Sequence, residues 1–179
     1  VLAIISITFT LPSLVNKSSS DPPTDKDILK AIEKVDEASK LYVEDNADGA
    51  KKLYSEAIKL NPKNADAYYY RGLSYYDLGN PNLAIDDYDK AIQLNPKFEV
   101  AYYHRGIAYS EGLKKYKRAI INYDEAIQLS KKFWQAYNKR GCANYKLGQY
   151  ERAIQDFDKA IELYPNYVKA YNNRESYPL

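Results

Sequence analysis

The chain has 179 residues, room for one domain of ordinary size, and a 45% hydrophobic share suits a globular core. Lys and Arg number 26 against 24 Asp and Glu, a net charge of +2 that implies no strongly basic face and disfavours nucleic acid as a partner. One Cys and one His exclude a disulfide framework and leave too few ligands for an all-protein zinc site, so no metal and no cofactor is expected.

Residues 1–15, VLAIISITFTLPSLV, carry no charge and give way abruptly to NKSSSDPPTDKD. Such a stretch matches the apolar region of a secretory signal or the end of a membrane anchor. It is shorter than the roughly 20 residues that span a bilayer. It lacks a basic leader and a clean cleavage site, so a buried or artefactual extension is the alternative. The segment favours an exported or membrane-associated chain over a cytoplasmic one, with residues 1–15 as a possible tether. The absence of Met, even at residue 1, implies a processed or truncated chain. Asn16-Lys17-Ser18 fits the glycosylation acceptor pattern.

Ser18 to Pro23 forms a polar linker, and Thr24 followed by Asp27 predicts a helix N-cap. From Asp25 to about Glu44 the apolar residues Ile28, Ala31, Ile32, Val35, Ala38 and Leu41 recur at three and four, giving one buried helical face. Beyond it, Asn46 to Gly49, Gly79-Asn80-Pro81, the Gly112 region and Gly148-Gln149 are breaks, as are Asn61-Pro62, Asn95-Pro96 and Tyr164-Pro165. They predict helices over about 47–60, 65–78, 82–94, 99–111, 116–129, 134–147, 150–163 and 167–175.

These helices repeat. The run AYYYRGLSYYDLGNPNLAIDDYDKAIQLNPKF from Ala67 returns as AYYHRGIAYSEGLKKYKRAIINYDEAIQLSKKF from Ala101 and AYNKRGCANYKLGQYERAIQDFDKAIELYPNY from Ala136. A fourth copy begins at Ala170 and stops, and a degenerate first copy ends in AIKLNP before Asn64. A period of this length signals a stack of identical supersecondary units.

The repeat resembles the tetratricopeptide repeat family. The family's large aromatic, small residue and second aromatic fall on Tyr68, Gly72 and Tyr75, then Tyr102, Gly106 and Tyr109. The third copy has Tyr137 and Gly141, with Asn144 in place of the second aromatic. Its second-helix positions hold Ala84, Tyr88, Ala91 and Pro96, and later Ala153, Phe157, Ala160 and Pro165. The resemblance implies an all-α fold: a right-handed superhelical solenoid of antiparallel helix pairs, spanning 24–179 after an N-terminal segment and linker over 1–23. Within it fall a degenerate repeat at about 31–64, repeats at 65–98, 99–133 and 134–167, and a partial repeat at 168–179. Lys34 and Glu37 stand where the family is apolar, so the first helix should be a solvated cap. The second full repeat carries one extra residue around Glu111 to Lys115, and Lys131 where proline is expected. A local change of curvature is expected there.

Steric reasoning puts Gly72, Gly106 and Gly141 against Ala84, Ala119 and Ala153 to let paired helices approach closely. Arg71, Arg105, Arg140 and Arg174 recur in register, as do Asp87 and Asp156, with Asn122 between them, and Asp89, Asp124 and Asp158. Either the arginines form an anion-binding ladder or each pairs with a carboxylate on a neighbouring helix. The second reading is favoured, because a charge present in every repeat serves every repeat.

No Gly-rich phosphate loop, His-Glu-x-x-His or recognisable serine dyad occurs, so no catalytic residue is assigned and an enzyme is not expected. Cys142 and His104 fall on first helices of adjacent repeats. A buried thiol and a groove-lining histidine are favoured over a cysteine dyad.

The resemblance implies a protein-binding groove lined by first-helix residues. Val35, Ser39 and Tyr42 come from the first repeat, and Tyr69, Tyr70, Leu73 and Tyr76 from the second. Tyr103, His104, Ile107 and Glu111 follow, then Asn138, Lys139, Cys142, Tyr145 and Lys146, then Asn172 and Asn173. Such a groove is aromatic in its N-terminal half and basic with amides in its C-terminal half, and tyrosine suits binding surfaces. Family members that clamp the acidic C-terminal tails of heat-shock chaperones need lysine, asparagine and arginine at set first-helix positions. Those positions hold Val35, Ser39, Tyr70, Val100 and His104 in one register, and Tyr69, Leu73, His104, Gln135 and Lys139 in the other. Chaperone tails are therefore disfavoured. The implied function is a non-catalytic scaffold or assembly factor that holds a peptide or helical segment of a partner protein. The alternatives are a membrane-tethered structural subunit, an RNA-binding helical-repeat protein, and self-association through the N-terminal segment.

Overall fold

Thr24 opens the first helix with a reciprocal pair of bonds. Its hydroxyl accepts from the Asp27 N–H at 3.2 Å, and the Asp27 carboxylate accepts from the Thr24 N–H at 2.9 Å. Two donors that a helix start leaves orphaned are thereby satisfied. The resulting helix, α1, runs Asp25–Val43, and α2 and α3 run Ala47–Leu60 and Ala65–Asp77. Asn46 and Asn64 cap them, accepting from Gly49 N at 2.9 Å and Ala67 N at 3.0 Å. Pro81 takes the first position of α4 (Pro81–Leu94), where its missing N–H has no helical partner to lose. Then follow α5 (Glu99–Ile107), α6 (Tyr116–Leu129), α7 (Trp134–Lys146), α8 (Tyr150–Leu163) and α9 (Val168–Glu175). The computed structural model describes residues 22–175. Expectations for residues 1–15 and for Asn16 lie outside the described residues.

Each helix packs chiefly on the helix before and the helix after it in sequence, from α1 to α9, which makes the chain a helical repeat solenoid. Spans agree with the turn signals to within about a residue, except for α5. Tyr68 to Tyr102 and Tyr137 to Tyr171 are each 34 residues apart, whereas Tyr102 to Tyr137 is 35. The extra residue is absorbed in a π-helical turn over Ala108–Gly112. There Leu113 N bonds Ala108 O at 3.1 Å, and Lys115 N bonds Tyr109 O at 2.7 Å. Widening one turn brings Lys114 back into step with the left-handed residues that end the other first helices. Lys114 has φ 55, beside Asp45 at 61, Gly79 at 76 and Gly148 at 73.

The core holds one fully buried aromatic per second helix, Tyr54, Tyr88, Tyr123 and Phe157, each one turn beyond a buried alanine. Those rings, more than the alanines, press on the small residue of the first helix. A Cβ on Gly72, Gly106 or Gly141 would lie 2.7 Å from Tyr88, 2.5 Å from Tyr123 or 2.7 Å from Phe157. The expected alanine contact is met only through backbone carbonyls, Ala84 O at 3.3 Å and Ala153 O at 3.1 Å. A long side chain on a helix leans toward the N-terminus, so each ring covers the alanine four residues before it.

The recurrent arginines tie three helices together. Arg71 grips Asp87 with Nε and Nη2 at 2.8 and 2.7 Å, and Arg140 grips Asp156 with Nε to Oδ2 at 3.0 Å and Nη2 to Oδ1 at 2.5 Å. Each also reaches the second helix of the preceding repeat, Arg71 to Ser55 at 3.2 Å and Arg140 to Asp124 at 2.5 Å. Arg105 makes the same reach to Asp89, and Arg174 to Asp158 at 3.1 Å. The ladder is therefore internal. Two neutral residues interrupt its carboxylates: Ser55 in the reach to the preceding repeat, and Asn122, which accepts from Arg105 Nε at 2.6 Å.

Candidate partner-binding groove

Because first helices recur every 34 or 35 residues, they present one continuous face along the stack, on which a side chain meets the residue one place further on in the next repeat. Tyr42 on α1 donates its hydroxyl to Asp77 at the end of α3. One repeat on, the Tyr69 hydroxyl of α3 meets His104 Nδ1 of α5 at 3.1 Å. Farther along, Asn173 Nδ2 of α9 donates to Asn138 Oδ1 of α7 at 3.0 Å. First helices thus adjoin along the expected face.

In its N-terminal half, aromatic rings touch one another across three repeats. Tyr70 stacks on Tyr54 at 5.8 Å between centroids and meets Tyr69 edge-on at 5.0 Å. Tyr69 contacts Phe98 at 5.1 Å and His104 at 5.5 Å. His104 meets Tyr103 at 5.0 Å, and Tyr103 meets Phe133 at 4.9 Å. Of the predicted residues in this string, Tyr70 is the most open, 36% exposed, whereas Tyr69 is 7% exposed. Tyr103 and His104 are half-buried, as are Leu73 and Tyr76, which pack around Tyr88, and Ile107, which packs around Tyr123. Ser39 turns inward, donating to Val35 O at 2.9 Å and sharing a bond with the Tyr54 hydroxyl at 3.2 Å. Burial drives the Tyr69 and Tyr103 phenols up from their ordinary value and the His104 imidazolium down, so the string offers neutral hydrogen-bonding edges.

The C-terminal half is polar and largely self-satisfied. Asn138, only 4% exposed, accepts from Asn173, whose Nδ2 also lies 3.5 Å from Cys142 Sγ. Lys139 donates to Glu111 at 2.5 Å, which neutralises a charge the sequence left open. Tyr145 leans on Tyr150 of α8 at 5.3 Å, with Lys146 over its ring. Burial pushes the Cys142 thiol up, and His104 Nδ1 is engaged by Val100 and Tyr69. The two side chains weighed as a dyad are thus committed elsewhere, with the thiol protonated.

Tyr54, Phe98 and Phe133 join the string from outside the first helices. A signal for two of them exists in the sequence: Phe98 and Phe133 close successive repeats, each packing on the tyrosine that begins the wall of its own repeat. In the third repeat that tyrosine is Asn138, and the closing ring, Tyr167, packs instead on Trp134 at 4.3 Å.

Family models described as tetratricopeptide repeat match residues 65–98, 100–133 and 134–167, and one described as TPR repeat matches 40–79. The chain belongs to the tetratricopeptide repeat family. Its solenoid is similar to the crystal structure of the protein MamA, with a TM-score of 0.74 and 28% identity over 81% of this chain and 79% of that one. It is also similar to the first TPR of Spaghetti (RPAP3) bound to the HSP90 peptide SRMEEVD. That likeness has a TM-score of 0.61 and 31% identity, covering 63% of this chain and 88% of the other. A curated relative is the tetratricopeptide repeat and J domain-containing co-chaperone DNJ1 of Cryptococcus neoformans var. grubii, 34% identical over 77 residues, 43% of this chain. The matched stretch spans only 15% of that relative's length. A TPR solenoid of this kind is a protein-interaction scaffold.

Proposed function

We propose that the first-helix face of this TPR scaffold holds an extended or helical segment of a partner protein, with Tyr70 and Tyr103 as its main aromatic contacts. The observation that carries the reading is the string of touching rings from Tyr54 to Phe133, which spans three repeats and leaves Tyr70 open at its edge. Rigid tyrosines bury area at little rotamer cost and keep a polar tip for the ligand backbone. Leu73, Tyr76 and Ile107 supply apolar flanks, and Lys146 and Asn173 supply polar ends. Tyr69 and Asn138 brace the wall from within.

A solved relative holding an HSP90 peptide supports a peptide ligand, yet this groove suits a different one. Among the residues at the clamp positions, the sole lysine, Lys139, is bound to Glu111, and the rest are neutral. A ligand with an apolar or aromatic anchor fits better than one ending in paired carboxylates.

Co-purification from the native source, comparing the intact chain with a Tyr70→Ala/Tyr103→Ala variant of equal helicity, tests the reading. Partners lost only from the variant support groove recognition. Affinity for a purified partner should fall at least about tenfold, the scale of a lost aromatic anchor. Partners retained by both proteins overturn it.

A further inference from the structure

The gap at Asn122 in the carboxylate ladder leaves a cationic crevice on the second-helix side of the solenoid. Between α4 and α6 lies a crevice of about 300 Å³ lined by Asp89, Arg105, Tyr109, Arg118, Ile121 and Asn122. One repeat later, between α6 and α8, its counterpart of about 280 Å³ contains Asp124, Arg140, Arg152 and Asp156. Every residue lining the earlier crevice has its counterpart in the later one, which adds Ile120. In the later crevice two guanidinium groups face two carboxylates; in the earlier one Asn122 replaces the aspartate, so two guanidinium groups face Asp89 alone.

The remaining bonds do not cancel this excess. Arg105 gives Nε to Asn122 and Nη1 to Asp89, and these commitments leave Nη2 available. Asn122 spends its own Nδ2 on the Arg118 carbonyl oxygen at 2.8 Å. The Arg118 guanidinium lies over the Tyr109 ring at 5.7 Å, and among the described residues no carboxylate pairs with it. An exposed arginine resting over an aromatic ring, beside a second arginine fixed by two bonds, presents preoriented donors to an anion.

We propose that this crevice binds a compact oxyanion group, phosphate or carboxylate, between Arg105 and Arg118. The Asp89 carboxylate sets an opposing charge on one wall, so the anion sits on the Arg118 side. Such a site would give the scaffold a second, acidic-group contact on the face away from the aromatic groove.

The test is a titration of the ¹⁵N-labelled full chain with inorganic phosphate, holding ionic strength constant with chloride. Saturable shifts are expected at the Asn122 side-chain amide and at the backbone of Arg105 and Arg118, with half-saturation at about millimolar concentration. Asn122→Asp restores the second carboxylate and should weaken binding at least about tenfold. Its fold is safe, because Asp87 and Asp156 stand at the same position in the neighbouring repeats. Arg118→Gln should weaken binding comparably. A parallel acetate titration that saturates extends the site to carboxylates, and one that does not narrows it to phosphate. Shifts that are linear, that chloride alone reproduces, or that persist unchanged in Asn122→Asp overturn the proposal.

Discussion

His104 Nδ1 lies 2.9 Å from the Val100 carbonyl oxygen and 3.1 Å from the Tyr69 hydroxyl oxygen. A carbonyl only accepts, so Nδ1 carries the hydrogen and shares it with the phenol oxygen. Burial among Tyr69, Tyr88 and Tyr103 opposes a second proton, and Lys139 adds to that, against weaker help from the Val100 bond and Asp77. The folded-state pKa is thus below the ordinary 6.5, and the unfolded chain binds the proton first as pH falls. Stability should be intact above about pH 6.5 and decline below it, by at most about 1.4 kcal/mol per pH unit, until the folded imidazole also protonates. Thermal melts at pH 7.5 and 5.5 measure this. His104→Gln should remove most of the difference; an unchanged difference would assign it to other groups.

The third repeat provides a control for the ion pairs. Arg140→Leu leaves Asp156 buried with only Asn144 donating to it at 3.0 Å, and should cost about 3–5 kcal/mol. Asp156→Asn reproduces the arrangement Arg105 already has, an asparagine on Nε and an aspartate on Nη1. Its cost should be only about 1–2 kcal/mol, near that of one weakened hydrogen bond. Denaturant unfolding of both variants checks the ordering.

Arg105, Asn122 and Asp89 also mark where sequence reasoning stops. The helix pairs were legible because turn residues and the self-match fix them locally, and a charge repeated in every copy announced an internal partner. Which aspartate each arginine takes depends on two helices brought together only by folding, one in its own repeat and one in the preceding repeat. The π turn shows the same limit: a single inserted residue is visible in the numbering, but Ala108–Gly112 could have looped out instead. In the groove, residue type alone could not separate Tyr69, buried under its neighbours, from Tyr70, open beside it. The one-residue difference sets each on another side of α3, and rings from Tyr88, Phe98 and His104 cover Tyr69.

Gly106 faces the Tyr123 ring so closely that an added Cβ would sit 2.5 Å from it. Tyr123 has no room to retreat, being fully buried with its hydroxyl 2.9 Å from Ser110 Oγ. Gly106→Ala should therefore cost about 1–3 kcal/mol by overpacking. In the Gly106→Ala/Tyr123→Leu double variant the losses should fall short of the sum by at least about 1 kcal/mol, because the clash has gone. Additive losses would mean that the glycine is needed for something other than the ring.

Lys114 holds a left-handed conformation, φ 55, where the neighbouring repeats use Gly79 and Gly148. A side chain there crowds its own backbone at a cost of about 1 kcal/mol, and Lys114 is exposed, so little packing opposes its removal. Lys114→Gly should stabilise the chain by about 1 kcal/mol and raise the melting temperature by about 2–4 °C. Gly148→Ala is the mirror experiment: a Cβ there meets nothing within 4 Å, so only backbone strain is introduced, and a loss of similar size is expected. If Lys114→Gly is instead destabilising, the π turn before it depends on the stiffness of a side-chain-bearing residue, and the repeat's extra residue is held in place by Lys114 itself.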